Sequence, residues 1–246
     1  MSNLSNWNLK HPKEVSQLLK AQEKLEQLIN APEPDVSGLF NEKTLESTLD
    51  SMIQHSLVSG SQRAREVNRA RTLIENRLNQ AISSNLDSYL EQADESFNAA
   101  AQTYEENIHL LPSKPFTAED ALAFTAEQRE AYDNVCEAAG TLSYWMHWAL
   151  ELTELPGEGL GPWSKFHTIV DADNVGGLMI LELEDASTGN PAYDRTLPVV
   201  ARALREGATL RLATPTTARR GADLLEQERQ EMPDKEYAAL SAGLGY

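Results

Sequence analysis

Cysteine, spaced histidine pairs and long apolar runs are scarce in this chain, and each scarcity removes a class of protein. The one cysteine, Cys136, rules out an internal disulfide framework, speaks against a cysteine-ligated zinc site and fits a reducing compartment. No window approaches the roughly 18 consecutive apolar residues that a membrane span needs. Residues 1–10 hold no apolar h-region of a secretory signal. Together these features predict a cytoplasmic protein without membrane contact. The histidines, His11, His55, His109, His147 and His167, lie far apart, and no two have metal-ligand spacing. A Walker-type glycine loop, a G-x-G-x-x-G after a strand, H-E-x-x-H and G-x-S-x-G are all missing. The expectation is a protein without a cofactor.

Acid, by contrast, is abundant and unevenly spread. The net charge is −17, and residues 87–160 alone carry −13, with Lys114 and Arg129 as their only basic side chains. Such a block repels nucleic acid and anionic membrane and suits a basic partner; its plainer reading is a solvated helical face. Residues 61–86 carry the opposite sign, through Arg63, Arg65, Arg69, Arg71 and Arg77. This basic stretch is expected to pair with the acidic block of the same or a neighbouring chain.

Proline and glycine punctuate the helices. Val15, Leu18, Leu19, Leu25, Leu28 and Ile29 form one apolar stripe at helical spacing, which Pro32 and Pro34 end. From Asn41 to Leu111 there is no proline, and Gly60 is the only glycine. Within this stretch Val67, Leu78, Tyr89, Ala100 and Leu111 recur at intervals of eleven, as do Ile82, Ala93 and Tyr104, and Leu86, Phe97 and Ile108. Eleven residues are close to three turns, so these positions share one face of a nearly straight helix. The spacing predicts one long helix over about 62–111. Thr117 with Asp120 and Thr125 with Gln128 read as N-terminal caps. A return helix over about 126–155 is the natural antiparallel partner of the long one.

Three glycines and two prolines in 156–162 cannot hold a helix or strand, and a domain boundary is expected there. Beyond it, 166–170 and 178–183 read as two strands, 197–205 as a short helix closed by Gly207, 209–213 as a third strand, and Thr214 as the cap of a last helix. The predicted class is therefore mainly α. Residues 1–155 form an elongated helical bundle or antiparallel coiled coil, and 163–246 a small α+β domain of order β-β-α-β-α.

Two local patterns invite a functional reading. Tyr144-Trp145-Met146-His147-Trp148 points bulky side chains around a whole helix circumference, of which one apolar stripe buries only part. Tyr144, Trp145 and Trp148 are thus candidates for packing on the C-terminal domain, for an intermolecular interface or for a ligand pocket. In Ile169-Val170-Asp171-Ala172-Asp173-Asn174-Val175, a carboxylate pair leaves the end of an apolar strand. Asp171 and Asp173 could hold Mg²⁺ or Mn²⁺ there, or simply form a turn. The string resembles the first strand of PIN-like (NYN) nucleases, where an aspartate and a nearby asparagine follow an apolar strand. The resemblance implies metal-dependent phosphoryl chemistry. That family continues into a helix, whereas 176–181 reads here as a strand.

The favoured expectation is a non-enzymatic interaction or scaffold protein that presents an acidic helical surface to another protein or to a second copy of itself. Glu91, Asp94, Glu95, Glu105 and Glu106 are its candidate contacts. A narrower version is a nucleic-acid mimic that occupies a DNA-binding protein. The alternative is a metal-dependent nuclease or phosphoryl-transfer enzyme centred on Asp171 and Asp173.

Overall fold

The computed structural model describes residues 7–29, 43–59, 61–182 and 189–243. The chain is mainly helical, with one two-stranded antiparallel sheet among the described residues. Contacts divide it into two compact units, one of Met1–Leu9 with Leu86–Tyr246, the other of Lys10–Asn85. The segment 156–162, expected as a boundary, lies inside the first.

The Lys10–Asn85 unit holds α1 (Lys13–Ile29), α2 (Leu45–Ser59) and α3 (Ser61–Ser83). The breaks expected at 31–34 and at Gly60 lie outside the described residues. Helix α1 packs on α3, and two ion pairs join them, Arg71 to Glu26 and Arg77 to Glu14, both at 2.8 Å. Arg71 and Arg77 therefore find partners on α1, and Arg69 lies 3.9 Å from Glu66 within α3 itself. The side chain of Arg63 lies outside the described residues.

The single long helix expected over 62–111 is two helices, because a turn at Ser84 and Asn85 separates α3 from α4 (Leu86–Ile108). Both turn residues bond back to the helix before them. Ser84 Oγ donates to Gln80 O at 2.9 Å and Asn85 Nδ2 to Ala81 O at 2.7 Å. Such side-chain bonds compete with continued helix, and apolar periodicity carries no record of them.

In the larger unit α4 packs on α6 (Ala126–Glu151). The two run antiparallel: Trp145 Nε1 donates to Ser96 Oγ at 3.4 Å, and Asn134 Nδ2 to Asn107 Oδ1 at 3.2 Å. Tyr89, Ala93, Phe97, Ala100 and Tyr104 of α4 are buried, as are Ala131, Val135, Ala138, Ala139 and Leu142 of α6. Alternation of alanine with large side chains lets the backbones approach while the aromatics fill the remaining space. The short α5 (Ala118–Leu122) and α6 both begin with complete capping boxes, at Thr117/Asp120 and Thr125/Gln128. Hydrogen bonds from Thr117 hold the Asp120 carboxyl below its ordinary pKa.

After α6 the chain forms β1 (Val170–Asp171), α7 (Val175–Glu182), α8 (Pro191–Asp194), α9 (Pro198–Arg205), β2 (Thr209–Leu210), α10 (Pro215–Glu231) and α11 (Asp234–Gly243). The β-β-α-β-α order is thus replaced by two short strands among five helices, and 166–168 belong to a 3-10 turn. The second expected strand, 178–183, falls mostly in α7. Val175 to Leu181 are all buried, and a segment buried on every side has no apolar period to reveal its type.

Segment 156–162 is stitched down. Leu155 and Leu160 are buried. Glu158 Oε2 accepts the Thr216 N–H at 3.0 Å in the first turn of α10, where a carboxylate also meets the positive end of the helix dipole. Buried Tyr104 donates its hydroxyl to Thr196 O at 2.6 Å and Leu197 O at 3.1 Å. Leu197 has φ 54°, a left-handed conformation costly for a branched side chain. Tyr104→Phe leaves the buried Thr196 carbonyl without this donor, while Leu197 O keeps the Ala201 N–H, and we expect urea unfolding to show a loss of about 2 kcal/mol.

Candidate functional site

Val170 pairs with Leu210 and Asp171 with Thr209, antiparallel. Asp171 Oδ2 accepts from Arg211 Nη1 at 3.2 Å, while Asp173 is exposed. No group of three or more His, Cys, Asp or Glu among the described residues is placed to hold a metal ion.

Asn174 has a structural task. Its Oδ1 accepts the Gly177 N–H at 2.9 Å, which caps the N-terminus of α7, and its Nδ2 donates to Glu206 O at 2.8 Å. The glycines permit this close fit: a Cβ on Gly176 would lie 3.1 Å from Asn174 Oδ1, and one on Gly177 3.2 Å from the Ala172 Cβ. A helix therefore follows the strand, as in the nuclease family that the string resembles. The neighbouring strand, however, is antiparallel and reached through three helices.

The aromatic run of α6 divides by face. Trp145, Met146 and Trp148 are buried, while Tyr144 is 43% exposed. The indoles are covered from the N-terminal side of the chain. Trp7, itself buried, meets Trp148 edge-on at 5.6 Å and Tyr89 at 5.5 Å, and its Nε1 donates to Glu151 Oε2 at 2.7 Å. Nothing near Trp7 in sequence announces this role; the signal lies in the bulk that one helix stripe leaves uncovered.

Glu91, Asp94, Glu95, Glu105 and Glu106 are all exposed on α4, but they do not share a face. Beside the α4–α6 seam runs an open groove of about 310 Å³, lined by Ser96, Ala99, Ala100 and Thr103 of α4 and by Asn134, Glu137, Ala138 and Thr141 of α6. At 100° per residue, Glu95 and Glu106 stand about a quarter turn from its floor, whereas Asp94 and Glu105 point away from it. On α6 the same geometry puts Asp133 and exposed Tyr144 on the opposite flank, with Glu130 one turn before the floor residue Asn134. Helix α4 has no basic residue, and the one arginine of α6, Arg129, donates to Phe124 O in the preceding loop and to Leu122 O at the end of α5.

A second concavity lies between the β1–β2 ladder and α10, bounded by His167, Asp171, Arg211 and Thr217, with Ala218, Gly221 and Ala222 on the helix side. His167 is 4% exposed, and its Nε2 has no hydrogen-bond partner. Burial pushes its pKa down to about 4, against the pull of the nearby Asp171 carboxylate. Sequence spacing pointed to none of this, because the ladder alone joins 167–171 to 211.

No family model, curated protein or solved structure matches the chain.

The unfolded chain binds the His167 proton near pH 6.5 and the folded chain only near pH 4. Stability therefore falls as pH drops through that window. We expect His167→Phe to remove about 2 kcal/mol of the difference in unfolding free energy between pH 7 and pH 5, measured by urea titration.

Proposed function

We propose that the chain is a non-enzymatic interaction protein whose α4–α6 face receives a basic helical segment of a partner protein. The observation that carries this reading is the coincidence of groove and charge. A concave strip floored by alanine, serine and threonine is flanked on both helices by carboxylates, with no free cation on either helix. Small floor residues let another helix backbone come close, at the 8–10 Å interaxial distances of packed helices. The carboxylates favour lysine and arginine flanks on the incoming segment and steer its approach. Tyr144, exposed at one flank, supplies an aromatic anchor of the kind enriched at binding hot spots. The buried Trp145 braces the groove residue Ser96, whose Oγ accepts its Nε1–H at 3.4 Å.

Two charge-matched variants test the proposal against simple long-range attraction. The probe is a fluorescent, lysine-rich, alanine-based helical peptide, followed by anisotropy at low and high salt. Neutralising the groove flanks together (Glu95→Gln, Glu106→Gln, Asp133→Asn) should weaken binding by about tenfold or more. Neutralising the outward side (Glu91→Gln, Asp94→Asn, Glu105→Gln) removes as much charge and should cost no more than about twofold. Equal losses from the two variants would show that the groove selects nothing.

A further inference from the structure

Hydrogen-bond donors outnumber acceptors around the cavity beside His167. A guanidinium carries five N–H donors, and in Arg211 only Nη1 has a protein partner, Oδ2 of Asp171. The Thr217 hydroxyl oxygen accepts from Thr214 Oγ1 at 3.1 Å, which leaves its own proton to donate. His167 is neutral at pH 7 because burial disfavours its cation. In the Nε2–H tautomer it adds a third donor, one that no protein group satisfies. Among the described residues the one carboxylate lining the cavity, Asp171, is already taken by Arg211. Arg211 and Thr217 are exposed, whereas His167 Nε2 is buried without a partner, which is costly, and a group that accepts from it offsets that cost.

The space is small and its remaining walls are apolar. The cavity measures about 30 Å³, room for roughly two waters or a head group of a few atoms. A side chain at Gly221 would meet nothing within 4 Å of its Cβ, so the missing side chain there keeps the space open. We propose that this cavity binds a small monocarboxylate, held by His167 Nε2–H at its inner end and by the Arg211 guanidinium at its mouth. The Asp171–Arg211 pair is largely exposed, with side chains 43% and 65% accessible. It is therefore weak, and it positions the guanidinium while leaving it free to turn to a ligand. The same Asp171 charge disfavours a doubly charged oxyanion over a singly charged one. The site does not depend on the α4–α6 reading.

The test is an NMR titration of the full chain, labelled in histidine, with sodium acetate against sodium chloride at matched ionic strength and pH 7. The His167 ring signals are assigned from their loss in His167→Gln. They should shift saturably with acetate, with a dissociation constant on the order of 1–10 mM, as befits a ligand of four heavy atoms. Chloride should leave them unmoved, and inorganic phosphate should bind more weakly than acetate. Arg211→Gln, at an exposed position, should weaken acetate by about tenfold. Gly221→Leu, which fills the cavity from a helix that tolerates leucine well, should abolish the response while the circular dichroism stays unchanged. Signals that follow acetate no more than chloride, an Arg211→Gln variant that keeps full affinity, or tighter binding of phosphate than of acetate would each overturn the assignment.

Discussion

The antiparallel seam between α4 and α6 is the interaction on which the larger unit depends. Several other elements of that unit are fastened to side chains that leave it. Tyr104 reaches the carbonyls before α9, Tyr132 Oη donates to Ala192 O in α8 at 3.0 Å, and the Trp145–Trp148 edge receives Trp7. The 3-10 turn carrying His167 also packs on α6. Small residues at the seam serve two ends. Ala100 and Ala138 are buried and bring the helices together, and at the same time they floor the groove on the solvent side. A tight seam and a shallow acidic groove are thus two faces of one choice of side chain.

Against this seam the sheet is minor. Strands of two residues are too short to be stable alone, and further bonds extend their pairing: Arg211 N–H to Ile169 O at 3.0 Å and Ala213 N–H to Thr168 O at 2.9 Å. These bonds run the chain past His167 and deliver it directly to Thr214, the cap of α10. Helix α10 is anchored in turn by Glu158 and by Trp163, whose Nε1 donates to Asp223 at 2.8 Å. A glycine- and proline-rich segment that reads as a loose connection thereby fixes one wall of a cavity.

What the sequence made legible was local. The capping boxes at Thr117 and Thr125, the cap at Thr214 and the stop at Gly207 are written within four residues of where they act. The helical stripes of α4 and α6 were equally readable, since a half-buried helix displays its period. Three things were not. Helix α7 is buried all round and shows no period. The turn at Ser84 and Asn85 interrupts the eleven-residue pattern without altering it. The surroundings of His167, Asp171 and Arg211 depend on pairing across about forty residues, which no local spacing encodes. Glu91, Asp94, Glu95, Glu105 and Glu106 are all exposed on α4, but composition gives no direction, and of these Glu95 and Glu106 stand nearest the groove. Asn174 stood in plain view beside the two aspartates, yet its work as a cap could be seen only once a helix was known to follow.

The place of Trp7 has a consequence for the order of events during synthesis. Trp7 belongs to the same unit as Leu86–Tyr246, although the whole Lys10–Asn85 unit intervenes. The carboxylate that receives its indole N–H lies 144 residues later. At translation rates of about 5–20 residues per second, Trp7 waits roughly 7–30 s outside the ribosome before its cradle exists. By then the whole intervening unit has been synthesised. The nascent chain therefore passes through an interval in which a large aromatic side chain near its start is exposed, and that interval is when a chaperone would find it.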